Sequence, residues 1–354
     1  MIHLAILRNE LSDEHELWVQ ACKAHHKELE FDVINLTKNN WLEQILAKEY
    51  DFYLCKPPGI NSLYKQLYDE RVMILSMELA LPIYPTLTEI LIYENKRFLS
   101  YWLAVNRLPH PKTWVFYDKK EALATLRNYA LPLVAKVNIG ASGSGVTICR
   151  SWKQVEDYIE DVFSVKGASQ RWGPNLTKGK LLQRGIHYIF KPADIGRKLE
   201  RYKRKRNERQ TGFVLFQEFV EHEYEWRVVA IGDSYFAHKK LKIGDKASGS
   251  TLKKYDNPPL KLLDFARSIM ERFGFYSQAI DLFETPDGQL LINEMQCIFG
   301  QSDPYQMLVD GQPGRYRYIN GQWIFEKGDF NSLESYALRL EHVIELIKKK
   351  KSGT

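Results

Sequence analysis

The sequence predicts a mixed α/β and α+β protein that begins with a parallel-sheet domain. Three observations support this fold class. Strand-like and helix-like segments alternate over the first ninety residues, strand-like runs with tight-turn signals dominate the C-terminal half, and 354 residues suffice for about two or three domains. We therefore divide the chain into an N-terminal domain (1–90), a central subdomain (91–212) and a C-terminal subdomain (213–354).

The N-terminal domain opens with Ile2–Leu7, an apolar run that we interpret as a buried strand. A helix is expected from Ser12, whose hydroxyl can cap its first turn, and a longer helix is expected over Ser62–Met77. Phe31–Leu36 and Asp51–Cys55 have the composition of further strands. Strands that alternate with helices at this spacing predict a parallel sheet with helices on its faces.

The central subdomain combines a helix at Lys96–Asn106 with the strand Leu133–Val137, which runs into a glycine-rich turn. Trp152–Phe163 is expected to form an amphipathic helix. The segment 165–210 follows, and its many glycines and prolines predict a break in regular structure. This segment holds fourteen Lys or Arg residues and three acids, whereas the whole chain carries a net charge of +6. The basicity is therefore local, and the rest of the chain is net acidic.

The C-terminal subdomain is the most strand-rich part of the sequence. Tight-turn signals at Gly232-Asp233, Pro286-Asp287-Gly288 and Asn320-Gly321 each separate two strand-like runs, so they predict antiparallel hairpins. A final helix is expected over Ser332–Lys349. The other predicted strands of this region are Val214–Phe219, Glu225–Ile231, Ser234–Lys242, Gln278–Glu284 and Gln289–Met295.

Composition excludes several classes of protein. The four cysteines are widely spaced and form no Cys-x-x-Cys pair, which argues against a disulfide framework or a zinc site and predicts a reducing, cytoplasmic location. No apolar run approaches the roughly 20 residues that a membrane-spanning helix requires. A charged fraction of 27% with a hydrophobic fraction of 44% is typical of a globular protein rather than a disordered or fibrous one.

The turn 138–145 is rich in glycine and serine and joins two predicted strands. Glycines let backbone amides approach an anion closely, and serine hydroxyls add donors, although such a turn is also common as a simple loop. Lys136 precedes it on an apolar strand, where its ammonium group must either reach solvent or meet an anion. The candidate anion-binding residues of the turn are Gly140, Ser142, Gly143, Ser144 and Gly145.

Two acidic residues lie on neighbouring apolar strands of the C-terminal subdomain. The predicted hairpin would bring Asp281 opposite Glu294, and strand alternation puts Gln296 on the same face as Glu294. Carboxylate and amide oxygens suit Mg²⁺, which would relieve the repulsion between the two acids. The alternative is that Arg or Lys side chains neutralise the pair.

An acidic link joins two predicted strands within 216–227, and by itself this pattern indicates only a loop with acidic side chains. Taken in order, however, Lys96, Lys136, the glycine-rich turn, this link and the two carboxylates resemble the ATP-grasp superfamily, over residues 1–300. The similarity is greatest to the branch that ligates amino acids to carboxylates, which includes peptide-modifying glutamate ligases and D-alanine–D-alanine ligases.

The resemblance implies an ATP-grasp fold preceded by an N-terminal parallel-sheet (pre-ATP-grasp) domain. It implies that Lys96 and Lys136 hold the phosphates of ATP, that Glu218 lies at the adenine hinge, and that Glu225 binds the ribose hydroxyls. The residues that the resemblance assigns to nucleotide binding are Lys96, Lys136, Gly140, Ser142, Gly143, Ser144, Gly145, Gln217, Glu218, Phe219, Val220 and Glu225.

Catalytic and metal-binding residues are implied in the same way. Arg227 would steady the transferred phosphate, and one further cation is expected on the following strand. Gln296 stands where the family usually has asparagine, which leaves the number of metal ions open. The segment 297–304 also lacks the small-residue turn that is familiar in the family. The implied catalytic residues are Arg227, Lys240 and Lys242, and the implied metal ligands are Asp281, Glu294 and Gln296.

The activity implied by the resemblance is ATP-dependent ligation. ATP with Mg²⁺ (one or two ions, replaceable by Mn²⁺) would convert a carboxylate into an acyl phosphate, which an amine then attacks. The basic segment 165–210 is either a solvated insertion or an electrostatic site for a polyanionic acceptor, such as an acidic glycan or peptide. Two alternatives stay open: an ATP-grasp kinase that phosphorylates a hydroxyl, and a non-catalytic protein that binds nucleic acid or another polyanion. Nucleic acid is the less favoured partner.

Overall fold

The computed structural model describes residues 1–140, 145–170, 192–243, 246–247 and 252–353. Three main β-sheets organise this part of the chain, and helices pack on each of them. One sheet is parallel and the other two are antiparallel, so the mixed α/β and α+β class predicted from the sequence is confirmed. None of the described helices is long and apolar enough to cross a lipid bilayer.

The N-terminal sheet is parallel, as predicted. Buried apolar side chains cover both of its faces, with Leu4 and Ile6 in one core and Ala5 and Leu7 in the other. Its strands are β1 (Ile2–Arg8), β2 (Leu29–Asn35), β3 (Phe52–Cys55) and β4 (Ile83–Tyr84), in the order β2-β1-β3-β4. The helices between them are α1 (Glu16–Ala24), α2 (Trp41–Leu46) and α3 (Ser62–Met73).

Two helix boundaries in this domain differ from the prediction. Helix α1 begins at Glu16 and not at Ser12, and its preceding residue makes no side-chain cap. The chain after β1 is instead held in a turn by Asn9, whose side-chain oxygen accepts a 2.9 Å hydrogen bond from the backbone of Leu11. The predicted helix Ser62–Met77 ends its α-helical part at Met73 and continues as the π-helical turn Ile74–Glu78.

The central sheet is antiparallel, and within the described ranges helices pack on one of its faces. Leu133, Ala135 and Phe216 pack beneath helices α6 (Lys119–Leu126) and α7 (Trp152–Val162). By strand alternation, the opposite face presents Lys136 and its neighbours to the large sheet described below. The strands are β5 (Thr113–Phe116), β6 (Leu133–Lys136), β7 (Val146–Cys149) and β10 (Val214–Glu218), in the order β5-β10-β6-β7.

The described part of the basic segment, residues 165–170 and 192–210, contains more regular structure than its composition predicted. Strands β8 (Ala168–Ser169) and β9 (Arg209–Gln210) pair with each other, and helix α8 (Pro192–Asn207) precedes β9. The expected break was wrong at Pro192, which is the first residue of the helix. The N–H group at this position has no partner within a helix, so a proline there costs no hydrogen bond.

One face of the large sheet is polar around Arg227 and Asp281 and apolar around Val229 and Phe236, and the other face is mainly apolar. Trp226, Val228 and Ile280 point toward helices α5 (Lys96–Val105) and α9 (Leu260–Phe273), which bury that face together with α4 (Leu87–Ile92). The central strands are β11 (Tyr224–Ile231), β12 (Ser234–Ile243), β15 (Ser277–Glu284) and β16 (Leu290–Gln296), in the order β16-β15-β11-β12. The remaining strands are β13 (Lys246–Ala247), β14 (Lys253–Lys254), β17 (Leu308–Val309), β18 (Gln312–Ile319) and β19 (Gln322–Lys327).

All three predicted hairpins are present, joining β11 to β12, β15 to β16 and β18 to β19. The C-terminal helix α10 (Tyr336–Ser352) begins later than the predicted Ser332. The delay has a local cause, because residues 333–335 adopt positive φ angles of 52°, 54° and 65° that cannot belong to a right-handed helix. Helix α9 was absent from the prediction altogether.

Candidate functional site

A cleft lies between the central sheet and the polar part of the large sheet. Both sheets and the links that join them contribute side chains to it. The described residues that line the cleft are Lys96, Val134, Lys136, Gly140, Val146, Ile148, Gln217, Glu218, Phe219, Val220, His222, Glu225, Lys240, Phe283, Asn293 and Glu294.

The floor of the cleft carries alternating charges that the strand register brings together. Arg227 pairs with Asp281 across β11 and β15, while Glu225 pairs with Lys240 across β11 and β12. The Arg227 guanidinium donates two 2.8 Å hydrogen bonds to the Asp281 carboxylate. Lys240 Nζ lies 2.6 Å from Asp281 and 2.6 Å from Glu225. These four side chains therefore form one continuous network of ion pairs.

Asp281 is almost completely enclosed, at 1% exposure. Burial by itself would raise the pKa of Asp281, but the positive charges of Arg227 and Lys240 outweigh it and hold this pKa well below its usual range. The carboxylate is thus ionised and neutralised by Arg and Lys side chains. This is the arrangement that the sequence left open as the alternative to a metal between the two acids.

The predicted cross-strand pairing of Asp281 with Glu294 is present, and a β-bulge lies immediately beside it. Leu282 pairs with Ile292, so Asn293 is the extra residue on β16. The bulge turns the Asn293 side chain into the cleft, next to Glu294. Strict strand alternation would put these two neighbours on opposite faces, so periodicity contains no signal for Asn293, which was not among the predicted site residues.

Asn293 joins groups from both walls of the cleft. Its side-chain oxygen accepts a 3.0 Å hydrogen bond from Lys136, and its nitrogen donates a 3.2 Å hydrogen bond to Glu225. Lys136 therefore points inward and does not reach solvent. Burial, reinforced by the positive charge of Lys96, lowers the pKa of Lys136 to about 8. A buried amine with this pKa would gain strongly from an anion in the cleft.

Lys96 is the first residue of α5 and reaches the end of the glycine-rich turn. Its Nζ donates a 2.8 Å hydrogen bond to the carbonyl oxygen of Gly140 and lies 3.7 Å from Glu94 and 3.9 Å from Glu294. Gln296 donates a 3.0 Å hydrogen bond to Glu94, a residue with a left-handed φ of 51°. Burial raises the pKa of Glu94 to about 7, against the opposing effect of Lys96.

The link between β10 and β11 forms the remaining wall of the cleft. Gln217 donates a 3.1 Å hydrogen bond to the hydroxyl of Thr113, and the Glu218 backbone donates one of 2.9 Å to the carbonyl of Lys112. The following residues, 219–220, also line the cleft. His222 lies beside them and was not predicted as a site residue, because the sequence offered it only as part of an acidic loop.

Comparison with solved structures identifies the fold of this chain. D-alanine–D-alanine ligase from Bacillus anthracis is 13% identical, with a TM-score of 0.55 over 100% of this chain and 99% of that one. Its complex with ATP is 12% identical, with a TM-score of 0.53 over 99% and 100%. N5-carboxyaminoimidazole ribonucleotide synthetase from Thermotoga maritima is 14% identical, with a TM-score of 0.54 over 97% and 76%. The chain has the ATP-grasp fold. No model of a known protein family matches it, and no curated protein does.

The resemblance inferred from the motifs is thus confirmed for the fold, and the predicted residues can be located within it. Most of them line the ATP-grasp cleft or its floor, as described above. Lys242 shares a strand face with Lys240 but is absent from the cleft lining. Ser142, Gly143 and Ser144 lie outside the described residues. Gly145 accepts a 2.9 Å hydrogen bond from the Val137 backbone, and a Cβ there would lie 1.9 Å from Val137, so only glycine fits.

The three predicted metal ligands occupy different surroundings, and of the three only Glu294 is among the residues that line the cleft. Asp281 is bonded to Arg227 and Lys240, whereas Glu294 is 25% exposed and Gln296 bonds to Glu94. Across the described ranges, no group of three or more His, Cys, Asp or Glu side chains could hold a metal ion.

Proposed function

We propose that the protein is an ATP-dependent carboxylate–amine ligase that forms an amide bond through an acyl phosphate. The observation that carries this proposal is the network on the cleft floor, in which Arg227 and Lys240 alternate with Glu225 and Asp281. Phosphoryl transfer depends mainly on positioning and charge neutralisation, and such a preorganised cluster supplies both. The ATP-grasp fold and the ATP complex of the Bacillus anthracis ligase support a nucleotide in this cleft.

The nucleotide would lie along the cleft from the hinge to the glycine-rich turn. Lys96 and Lys136 would hold its phosphates, because both ammonium groups face the cleft near Gly140. Glu218 and the two residues after it would border the adenine, and Glu225 would accept hydrogen bonds from the ribose. The lowered pKa of Lys136 supports this orientation, since a phosphate would stabilise its charged form.

Magnesium bound with the nucleotide would offset the negative charge of the phosphates. Glu294 is the carboxylate best able to hold it, because it is partly exposed on the cleft and only approaches Lys96 at 3.9 Å. The Gln296 side-chain oxygen would be a further ligand, and Asp281 would be one only after release from its ion pairs. Mg²⁺ commonly binds one or two carboxylates together with phosphates and water, so this donor set fits.

In the proposed reaction, a substrate carboxylate oxygen bonds to the γ-phosphorus of ATP while the bond from that phosphorus to the β,γ-bridging oxygen breaks, releasing ADP. Arg227 and Lys240 would offset the negative charge on the transferred group. An amine then attacks the acyl carbon, loses a proton, and expels inorganic phosphate to leave an amide. Exclusion of water by the cleft would protect the acyl phosphate from hydrolysis.

Hydroxylamine trapping tests the reaction class. The protein would be incubated with ATP, Mg²⁺ and hydroxylamine across a panel of amino acids, acidic peptides and uronic acids. A hydroxamate formed together with ADP and phosphate is the expected result, and the responding carboxylate identifies one substrate. A stable phosphoester without hydroxamate would instead identify a kinase, and a failure to bind ATP by calorimetry would overturn the nucleotide site.

Two lysine variants control this assay. Lys240→Gln removes a cation from the cleft floor and should abolish hydroxamate formation. Lys239→Gln changes the adjacent residue, which faces the other way and packs over Tyr224 and Trp226. It should leave the activity at the wild-type level.

An acidic glycan or peptide as acceptor remains a prediction from the basic segment. In its described part, Arg201 lies 3.0 Å from Asp13 and Arg204 lies 2.7 Å from Glu200, so these two guanidinium groups are already paired within the chain. A small carboxylate and a small amine are therefore the simpler substrate pair, and the same panel compares both classes.

A further inference from the structure

His222 carries an unsatisfied polar atom on the wall of the cleft. Its side chain is 7% exposed and its ring packs against Phe283 with centroids 4.5 Å apart. Among the described residues, its Nε2 has no hydrogen-bond partner, although this atom is buried. A buried polar atom without a partner is rare in a folded protein, and at a ligand site it points to a group that the ligand supplies.

The local geometry defines which nitrogen of the ring carries the proton. His222 Nδ1 lies 2.7 Å from the carbonyl oxygen of Val220, and a carbonyl oxygen can only accept a hydrogen bond. Nδ1 must therefore be the protonated nitrogen, which leaves Nε2 with a lone pair. Burial lowers the pKa of His222, so the ring is neutral at pH 7 and Nε2 acts as an acceptor only.

A second acceptor stands beside this nitrogen. Glu225 Oε1 lies 3.9 Å from His222 Nε2, too far for a hydrogen bond but close enough for both atoms to contact one small group. Glu225 is held in place by Lys240 and Asn293, so its position does not depend on the ligand. A ligand that presents two hydroxyl donors on neighbouring atoms could reach both acceptors at once.

We propose that His222 and Glu225 together recognise the vicinal diol of the nucleotide ribose, each accepting one hydroxyl hydrogen. The inference rests on the proposed nucleotide site and adds a residue that determines sugar specificity. A ribonucleotide gives each acceptor a donor. A deoxynucleotide that lacks the hydroxyl facing His222 leaves Nε2 buried and unpaired, whereas Glu225 keeps its bonds to Lys240 and Asn293 in either case. The site therefore selects ribonucleotides over deoxynucleotides, and His222 supplies a large part of that selection.

The experiment compares the affinities of ATP, 2′-deoxy-ATP and 3′-deoxy-ATP by calorimetry, each with Mg²⁺. The wild-type protein should bind ATP at least about tenfold more tightly than one or both deoxynucleotides. His222→Phe keeps a ring against Phe283 but removes the acceptor, so it should lose affinity for ATP while holding the affected deoxynucleotide about as well as before. The preference should thereby fall to about twofold or less.

His110→Phe is the matched control. His110 also has its Nδ1 2.7 Å from the carbonyl of the residue two positions earlier, Leu108, but it lies outside the cleft. This variant should keep the wild-type preference. Melting curves establish that each variant is folded, and His222→Leu serves as a second acceptor-free variant if His222→Phe does not fold.

The possible outcomes separate this inference from the proposed function. A wild-type protein that binds ATP and both deoxynucleotides equally would overturn the role of His222, and this test requires no variant. A His222→Phe protein that loses affinity equally for all three nucleotides would assign His222 to packing alone and would also overturn it. A wild-type protein that binds none of them would overturn the nucleotide site itself.

Discussion

Lys136 on the central sheet donates a 3.0 Å hydrogen bond to Asn293 on the large sheet, so the two walls of the cleft are joined across it. Through its other amide atom, Asn293 is bonded to Glu225 at 3.2 Å. A single side chain thereby positions the lysine proposed for the phosphates and the glutamate proposed for the ribose. The β-bulge on β16 makes this possible, because without it Asn293 would point into the opposite face.

Replacing Asn293 with leucine should weaken ATP binding about five- to thirty-fold. Lys136 and Glu225 would each lose a partner, and a lost buried hydrogen bond costs about 1–2 kcal/mol. Calorimetric titration with a non-hydrolysable ATP analogue measures the change. Gln289→Ala, at the exposed turn of the same hairpin, is the control and should bind like the wild type. Unchanged affinity in Asn293→Leu would contradict its positioning role.

The affinity for ATP should fall as the pH rises above about 8. Burial lowers the pKa of Lys136 to about 8, so the free protein loses this positive charge in the range where an ordinary lysine keeps it. Since the phosphates require the charged form, affinity should decrease by up to about tenfold per pH unit above that value. Below about pH 7 the charge is complete and this dependence should disappear.

Titrations of an ATP analogue between pH 6.5 and pH 9.5 measure this dependence, and calorimetry in buffers of different ionisation enthalpy counts the protons taken up. Lys136→Arg keeps its charge over the whole range, because a guanidinium does not titrate there. It should bind ATP with little change between pH 7 and pH 9. A wild-type profile as flat as that of Lys136→Arg would show that Lys136 does not meet the phosphates.

Much of the fold could be predicted because turn chemistry is local. Gly232 and Gly288 adopt positive φ angles of 56° and 82°, and a glycine beside Asp at such a position specifies a tight turn without help from the rest of the protein. Those turns in turn determine which strands pair. The pairing of Asp281 with Glu294 followed from the same reasoning and is present.

The features that the sequence did not predict depend on contacts between distant residues. The bulge at Asn293 is stabilised by Lys136, which is 157 positions away, and strand periodicity contains no signal for it. His222 becomes a candidate only when its neighbours Val220 and Glu225 show which ring nitrogen is engaged. The partners of Asp281 could not be predicted for a similar reason. Strand alternation predicts which residues share a face, but not whether Asp281 meets a metal ion or the side chains of Arg and Lys.

Removing one member of the buried ion-pair network should destabilise the protein strongly. Arg227→Leu would leave Asp281, at 1% exposure, with Lys240 as its remaining charged partner, and breaking a buried pair typically costs about 3–5 kcal/mol. Urea denaturation measures the loss. The double variant Arg227→Leu/Asp281→Leu should lose less stability than the two single variants added together, because neither charge is then left alone.

A surface pair on the same sheet provides the comparison. Arg317 bonds to Asp233, but these side chains are 37% and 54% exposed. Arg317→Leu should therefore lower the free energy of unfolding by no more than about 1 kcal/mol. An equal loss of unfolding free energy in Arg227→Leu and Arg317→Leu would show that the network on the cleft floor stabilises the protein no more than an exposed ion pair does.

Glu294→Gln should reduce ATP turnover at least about a hundredfold while the protein stays folded. The proposed metal role accounts for the lost activity, and the partial exposure of Glu294 accounts for the retained fold, with a melting temperature within about 2 °C of the wild type. Glu284→Gln on the partner strand β15 is the control, because that side chain is similarly exposed at 23% but bonds to Lys261 away from the cleft lining.

Chelation of divalent ions should likewise stop turnover without changing the melting temperature of the nucleotide-free protein, since Arg227 and Lys240 already neutralise Asp281. Full turnover in Glu294→Gln, or in the presence of excess chelator, would exclude Glu294 as the carboxylate that holds the metal.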